Sequence, residues 1–340
     1  MSLYNASDEA SAPATPSTGR KVLYPKSDGW YYTDSTGTEY QIADTTSLFR
    51  LNDIINGQFR IAQAGTSFAA PASGAYDLDG WRNSNNTSAV FTVAQATGSS
   101  TGKLCRTVTV TTALASVAAA DYVLQQMRLE GYDCVKYLGN DFIIGFRVKS
   151  SVTGVHCVAL YDATSSYVAE YTINTANTWE YKTVTITGGL QAVSSSTNGL
   201  GLQITFSNAV GSTYQTTAGS WNTGVFFATA NQVNDMATVG NVFALEDVTL
   251  NLGTVATVDT ATYDEDLRRC QRYFQTTSIP VSASTDSYFG LWFYKVSMRA
   301  TPTITGGGAG FTVNASSSED VLICYQTTRA IVLLTASSRL

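Results

Sequence analysis

Between residues 58 and 254 the chain is a succession of short runs of β-branched, aromatic and aliphatic residues, at 58–63, 89–95, 105–111, 122–129, 142–149, 155–161, 181–187, 200–206, 224–230 and 243–250. Stretches rich in Ser, Thr, Asn and Gly separate them. Runs this short, at this spacing, read as strands. In one of them Leu202, Ile204 and Phe206 alternate with Gln203, Thr205 and Ser207. A period of two belongs to an antiparallel strand with one face in a core. About ten such strands imply two packed antiparallel sheets, read here as a jelly-roll β-sandwich, and the expected fold class is all-β. Periodicity tells which side chains face inward and is silent on strand order.

One stretch breaks the pattern. In residues 262–275, Asp264, Glu265 and Asp266 precede Arg268, Arg269 and Arg272, the charge order that a helix dipole favours. Tyr263, Leu267, Cys270 and Phe274 recur at spacings of three and four and would share one face. A helix of about three turns does not fold alone. Its apolar face needs the sandwich before it, the segment after it, or another copy of the chain, and Leu267 and Phe274 are expected at an oligomer interface.

The ends are organised differently. Residues 1–20 are mostly Ser, Ala, Thr and Pro and read as an arm. Residues 29–33 and 38–42 then read as a hairpin, with Trp30 and Tyr32 on one face of the first strand and Tyr40 and Ile42 on one face of the second. Beyond the helix, residues 278–340 form a small β module whose segment 288–296 is apolar on both faces. The domain reading is an attachment arm and hairpin over 1–55, the sandwich over 56–254, a linker helix over 255–277 and a tip module over 278–340. Two short strands and about sixty residues cannot cover that much apolar surface alone. Charged residues make up only 14% of the chain, fewer than a free monomer would use for solubility. Both points predict a homotrimer, with Trp30, Tyr32 and Tyr40 among its interface residues.

Several functions are disfavoured. Net charge is −6 and no basic cluster exists outside the helix, so no nucleic-acid partner is expected. No run approaches the roughly 20 apolar residues of a membrane span, and the opening lacks the basic start and apolar core of a secretory leader. Cys105, Cys134, Cys157, Cys270 and Cys324 lack any C-x-x-C pair and are expected to be buried and reduced. The single histidine, His156, stands beside Cys157, but neighbours in a strand point to opposite faces, which leaves no Cys-His dyad. Glycoside cleavage needs two facing carboxylates; Asp77, Asp79, Asp133, Asp141, Glu246 and Asp247 are available but read as turn or solvated residues. Asp77 and Asp79 match half of a calcium loop without its remaining ligands, so neither a metal nor a cofactor is expected. Trp81, Trp179 and Trp221 could stack on a sugar but read as core. For receptor or glycan contact the candidates are Tyr288, Trp292 and Tyr294 of the tip module.

A resemblance adds to this. The segments Asn56-Gly-Gln-Phe-Arg-Ile-Ala-Gln63, Thr66-Ser-Phe68 and Tyr76-Asp-Leu-Asp-Gly-Trp-Arg82 resemble the opening of a carbohydrate-binding-like β-sandwich in tail fibres and related virion proteins of tailed bacteriophages. Tyr137-Leu-Gly139, residues 144–149 and 178–185 are similar to its inner strands, and 244–253 to its closing strand. Residues 267–274, 296–303 and 336–340 resemble the C-terminal module of the same proteins, and 21–42 a fibre-associated hairpin. The resemblance implies a virion protein made in the host cytoplasm. It also implies a trimer that docks on other phage proteins through its N-terminus and contacts a host-surface glycan or protein at its far end. It supplies no catalytic or sugar-binding positions. The expected protein is adhesive and not an enzyme. The rivals are a head or collar decoration fibre, a polysaccharide-degrading tailspike and a bacterial carbohydrate-binding module.

Overall fold

Burying one face of every strand requires a second sheet to pack against, and that requirement shapes residues 52–257. The structure, a computed structural model, describes residues 11–26, 29–44, 52–193, 196–257, 259–281, 290–306, 311–313, 317–326 and 330–340. The chain divides into two compact units at the boundary between residues 51 and 52.

In the first unit β1 (Val22–Lys26), β2 (Gly29–Thr33) and β3 (Glu39–Asp44) form an antiparallel meander. The hairpin read from the sequence is β2-β3. Its turn is built by Asp34, whose carboxylate accepts from the Thr36 and Thr38 amides while Gly37 takes a left-handed φ of +84°. Tyr32 stacks on Tyr40 with centroids 4.9 Å apart. Trp30 and Tyr40 remain 44% and 43% exposed.

The second unit begins with twelve strands, β4 (Ser67–Ala69), β5 (Trp81–Asn85), β6 (Val90–Thr97), β7 (Leu104–Thr112), β8 (Tyr122–Glu130), β9 (Phe142–Ser150), β10 (Gly154–Tyr161), β11 (Ser165–Ile173), β12 (Glu180–Ile186), β13 (Leu200–Val210), β14 (Trp221–Thr223) and β15 (Val242–Leu252). Sheet I has the order β14-β11-β10-β13-β8-β5 and sheet II the order β12-β9-β15-β7-β6-β4. Pairs β6-β7 and β10-β11 are hairpins within one sheet, while most other connections cross between sheets, the wrapping of a jelly roll. Inward residues meet between the layers. Trp81 lies 5.0 Å from Phe59 and 6.2 Å from Phe206, and Phe146 packs edge-on to Phe206 at 5.0 Å. Each such side chain contributes about 1.5–3 kcal/mol on leaving water.

Several segments differ from the sequence reading, the short strands β4, β5 and β14 among them, which lie outside its ten runs. Residues 58–63 form no strand, because Asn56 and Phe59 take left-handed φ values of 53° and 54° and curl the chain; Phe59 and Ile61 still reach the core. Gly57 in this curl lies so close to β15 that a Cβ would stand 2.1 Å from the Val248 carbonyl oxygen. Residues 224–230 also form no strand and instead cover the outside of sheet I. Strand β11 lies outside the ten runs because Ser166, Glu170 and Thr172 mask an alternation whose Tyr167, Ala169, Tyr171 and Ile173 face the core.

A charge pair lies within this core. Arg106 of β7 donates Nε and Nη2 to the two Asp77 carboxylate oxygens at 2.7 and 2.6 Å, and the two side chains are 1% and 0% exposed. The planar fork matches the carboxylate.

Two helical elements flank the sandwich: the single turn α1 (Gly131–Cys134) and the helix α2 (Tyr263–Gln271). Thr262 caps α2 and exchanges hydrogen bonds with Glu265, so the helix starts where the charge order predicts. Its partner is the sandwich. Cys270 is buried in the main core with Leu267 packed against it, buried Asp266 accepts from Arg60 at 2.8 Å, and Arg269 donates to the Asp53 carbonyl. Arg272 and Tyr273, just beyond α2, both donate to Glu130 at the end of β8, at 2.7, 2.8 and 2.5 Å. Assigning Leu267 and Phe274 to an oligomer interface is thereby corrected. The helix ends at Gln271, Tyr263 is exposed, Leu267 packs on the sandwich, and Phe274 opens a strand and is buried.

The last strands are β16 (Phe274–Val281), β17 (Gly290–Phe293), β18 (Thr303–Gly306), β19 (Phe311–Val313), β20 (Val321–Gln326) and β21 (Ala330–Ser337). They form two three-stranded sheets, β16-β21-β18 and β17-β20-β19, around Trp292, Tyr294, Met298, Leu322 and Leu334. Arg299 ties them to the sandwich through the Asn198 carbonyl at 2.9 Å and holds the Ser338 carbonyl at 2.6 Å. Trp292 and Tyr294 pack edge-on at 4.9 Å and are 6% and 9% exposed. Both therefore fill the module's own core, which corrects their assignment to receptor contact; Tyr288 lies outside the described residues. In β17 the alternation turns Leu291 and Phe293 outward instead, 53% and 72% exposed.

Replacing Asp77 with Ala is expected to lower stability by about 3–5 kcal/mol, since it leaves the Arg106 charge buried without its partner. Urea unfolding should also show that a joint Asp77→Leu, Arg106→Met replacement costs far less than Asp77→Ala.

Candidate functional site

Among the described residues His156 and Cys157 form no nucleophilic constellation. His156 and Cys157 face opposite sides of β10, as alternation demands. The imidazole stacks between Tyr171 and Phe243 in the core, with Nε2 3.0 Å from Asp235 Oδ1, and Ser150 and Asn208 donate to the same carboxylate. Cys157 faces outward against Thr229. All five cysteines are buried and free of disulfides. Burial raises the thiol pKa of Cys105 to about 11 and pushes Cys134, Cys157 and Cys270 up as well, so none of these four is a thiolate near neutral pH.

The carboxylates considered for glycoside cleavage mostly have local partners. Asp77 holds Arg106, Asp79 accepts from the Gln63 amide and side chain, Asp141 accepts from Gly188, Glu246 accepts from Ser99, and Asp247 pairs with Lys103 at 2.8 Å. Asp133 lies in α1. Asp77 and Asp79 are thus occupied by an arginine and a glutamine, which removes the half calcium loop as a ligand set. Among the described residues no group of three or more His, Cys, Asp or Glu side chains could hold a metal ion.

The tryptophans divide by burial. Trp81 is fully buried, and Trp221 packs on the core edge against Tyr167 and donates Nε1 to the Gly189 carbonyl. Trp179 is half-buried on the outside of sheet II, with the Lys149 ammonium 5.0 Å from its ring centroid.

The outer face of sheet I offers more. Strand register sets its side chains in rows. One row runs Ser84, Leu124, Ser207, Cys157 and Glu170; the next Arg82, Gln126, Thr205, Ala159 and Val168; the third Arg128, Gln203, Tyr161, Ser166 and Asn222. The segment after β13 covers the first row: Ser207 donates to the Phe227 carbonyl at 2.7 Å, and Leu124, Cys157, Phe227 and Ala228 form a satellite apolar cluster. The second and third rows carry a polar strip. Arg128 Nε donates to Gln203 Oε1 at 3.0 Å, and Gln203 Nε2 donates to Thr205 Oγ1 at 3.3 Å. Gln126 is only 4% exposed, yet its amide makes no hydrogen bond among the described residues. Arg82 Nε is buried without an acceptor. Tyr161, half-buried, borders the strip and donates its hydroxyl to Ala163.

At the β5 edge the strip meets Tyr76, whose ring centroid lies 5.8 Å from the Arg82 guanidinium and 4.9 Å from that of Arg339. Burial raises the Tyr76 pKa against the pull of Arg128, Arg82, Arg339 and Arg299. Burial, and then the charge of Arg82, lower the pKa of Arg128. The strip can therefore donate and accept hydrogen bonds and hold negative charge, and it carries no acid or base. Sequence reading had Gln203 and Thr205 as the solvent side of a strand. It missed Arg82, Gln126 and Arg128, whose alignment depends on β5, β8 and β13 being neighbours.

No protein-family model matches the chain, and no curated protein matches it. Among solved structures it is similar to a CBM4 carbohydrate-binding module at 16% identity and a TM-score of 0.29, over 59% of this chain and 100% of that one. A family 11 carbohydrate-binding module from Clostridium thermocellum, in complex with a β-1,3-1,4-mixed-linked tetrasaccharide, aligns at 12% identity and a TM-score of 0.32, over 57% of this chain and 99% of that one. The enzymatically active domain of bacteriophage CBA120 tailspike protein 4 aligns at 13% identity and a TM-score of 0.31, over 60% of this chain and 22% of that one. Superpositions this loose assign the chain to none of these groups.

The His156 pair gives a stability signature. Burial pulls the imidazole pKa down, but the hydrogen bond and charge of Asp235, with the Gly154 carbonyl, outweigh it and leave the pKa raised. The stabilisation is fully present below the unfolded value of about 6.5 and is lost as pH rises through the raised folded value. Urea midpoints should fall over that interval for the native protein, and His156→Gln should be less stable at low pH and lack this component of the pH dependence.

Proposed function

We propose that this protein binds glycans without cleaving them, through the polar strip on the outer face of sheet I. The observation that carries the reading is Arg82 Nε, buried without an acceptor beside Gln126, Arg128, Gln203 and Thr205, on a face that points away from the core. An unmade buried hydrogen bond costs about 1–3 kcal/mol, which a ligand rich in hydroxyls relieves by binding. Tyr161 offers an apolar ring at the border of the strip, as sugar recognition requires. Against a glycan array the protein should retain one class of oligosaccharide, and calorimetry should show Gln126→Ala weakening it about tenfold. Trp179→Ala should leave affinity unchanged. Binding lost with Trp179→Ala and kept with Gln126→Ala would move the site to sheet II.

The phage resemblance of the sequence supports a finer reading, in which the chain is an adhesive virion fibre, trimeric and docked by its N-terminal arm. Exposed Trp30 and Tyr40 in the first unit, and Leu291 and Phe293 in the C-terminal strands, are apolar surface suited to neighbouring copies. Light scattering of the purified chain should give three times the monomer mass, and Phe293→Ser should shift it toward monomer. A stable, folded monomer at micromolar concentration would remove the fibre reading and leave the glycan site untouched.

A further inference from the structure

We infer that the ligand of the sheet I strip carries a negative charge, so that the target is an acidic saccharide whose carboxylate or sulfate sits between Arg82 and Arg128. The inference rests on the glycan reading and adds the ligand's charge to it.

Two observations on the geometry and one on composition support it. Arg82 pairs with Gln126 across β5-β8, and Arg128 lies two residues beyond Gln126 on the same outward face, so the two guanidiniums are diagonal neighbours. Like charges so placed repel, and a carboxylate between them would favour both charged forms. Here none is provided: no ion pair among the described residues includes Arg82 or Arg128. Carboxylates are not scarce in the chain, which has 26 Asp and Glu against 20 Lys and Arg.

Two other arginines show the contrast. Arg106 has Asp77, and Arg272 has Glu130. Arg299 is occupied by the Asn198 and Ser338 carbonyls. Arg339 also lacks a carboxylate: its guanidinium lies 3.9 Å from the Phe274 centroid, and its Nε and Nη2 are buried without acceptors. Only Arg128 Nε in the diagonal pair has a protein acceptor, the Gln203 amide oxygen at 3.0 Å, which fixes that guanidinium and leaves its remaining N–H groups to donate elsewhere. Arg82 Nε is buried without an acceptor. A carboxylate or sulfate accepts from two guanidiniums at once, while Gln126, in the same row as Arg82, is placed beside them to meet a sugar hydroxyl.

The test uses the full chain and an array of neutral, carboxylated and sulfated oligosaccharides, with titration of the strongest binders in 20 and 500 mM salt. Acidic glycans should bind preferentially, at least tenfold more weakly in Arg82→Gln or Arg128→Gln, with part of the affinity restored in Arg128→Lys. Methyl esterification of a bound uronate should abolish its advantage, and the native protein should lose affinity in high salt. Those last two readouts use no variant and stand even if an arginine replacement fails to fold. The carboxylated and sulfated arms distinguish the two anion sources. Equal binding of neutral glycans, with no loss on esterification, would overturn the inference and leave the glycan reading standing. Binding of no saccharide would overturn both.

Discussion

Side chains on an antiparallel strand alternate strictly between two faces, and a sheet with one face in a core must present the other to something else. This constraint organises the second unit. Inward positions of sheets I and II build one continuous core around Trp81, Phe146 and Phe206. On the outside of sheet I, the segment after β13 covers one row and the Ala159 and Val168 end of the next, and the β5, β8 and β13 side of the remaining rows is polar. Because register binds all positions of a strand together, the residues that pack the core also place Arg82, Gln126, Arg128, Gln203 and Thr205 on one strip.

Around that core, buried charges act as fixed points. The Arg106-Asp77 pair joins β7 to the loop that leads into β5, and Glu130 at the end of β8 gathers Arg272 and Tyr273 at the end of α2. Such pairs contribute little net stability, because desolvation offsets attraction, but breaking one is costly and alternative packings lose it. They therefore hold α2 and the C-terminal strands in one position against the sandwich. Those strands have a small apolar core of their own, and docking on the sandwich supplies part of the burial that a module of this size lacks.

The proposal of binding rather than chemistry at the strip rests on the side chains it carries. Catalysis would need an acid, a base or a nucleophile with a displaced pKa. The strip has amides, a hydroxyl and guanidiniums, which bind and orient. His156, whose pKa is raised, sits inside the core with Asp235 as its partner.

The sequence by itself determined the class of the fold, the location and start of α2, the turn at Asp34 and the burial of the cysteines, since each depends on neighbours within a few positions. It also separated His156 from Cys157, because alternation is a property of the strand alone. Only the tertiary structure decided what covers each outward face. Trp292 and Tyr294 turned inward while Leu291 and Phe293 turned outward, since an aromatic run apolar on both faces carries no sign of which face meets the core. Leu267 and Phe274 found their partners in the same chain rather than in another copy. The arginine pair and the idle Gln126 amide could not be read in advance, because residues 82, 126, 128 and 203 become neighbours only when strand order is known. Strand order follows from long-range packing, to which local periodicity is blind.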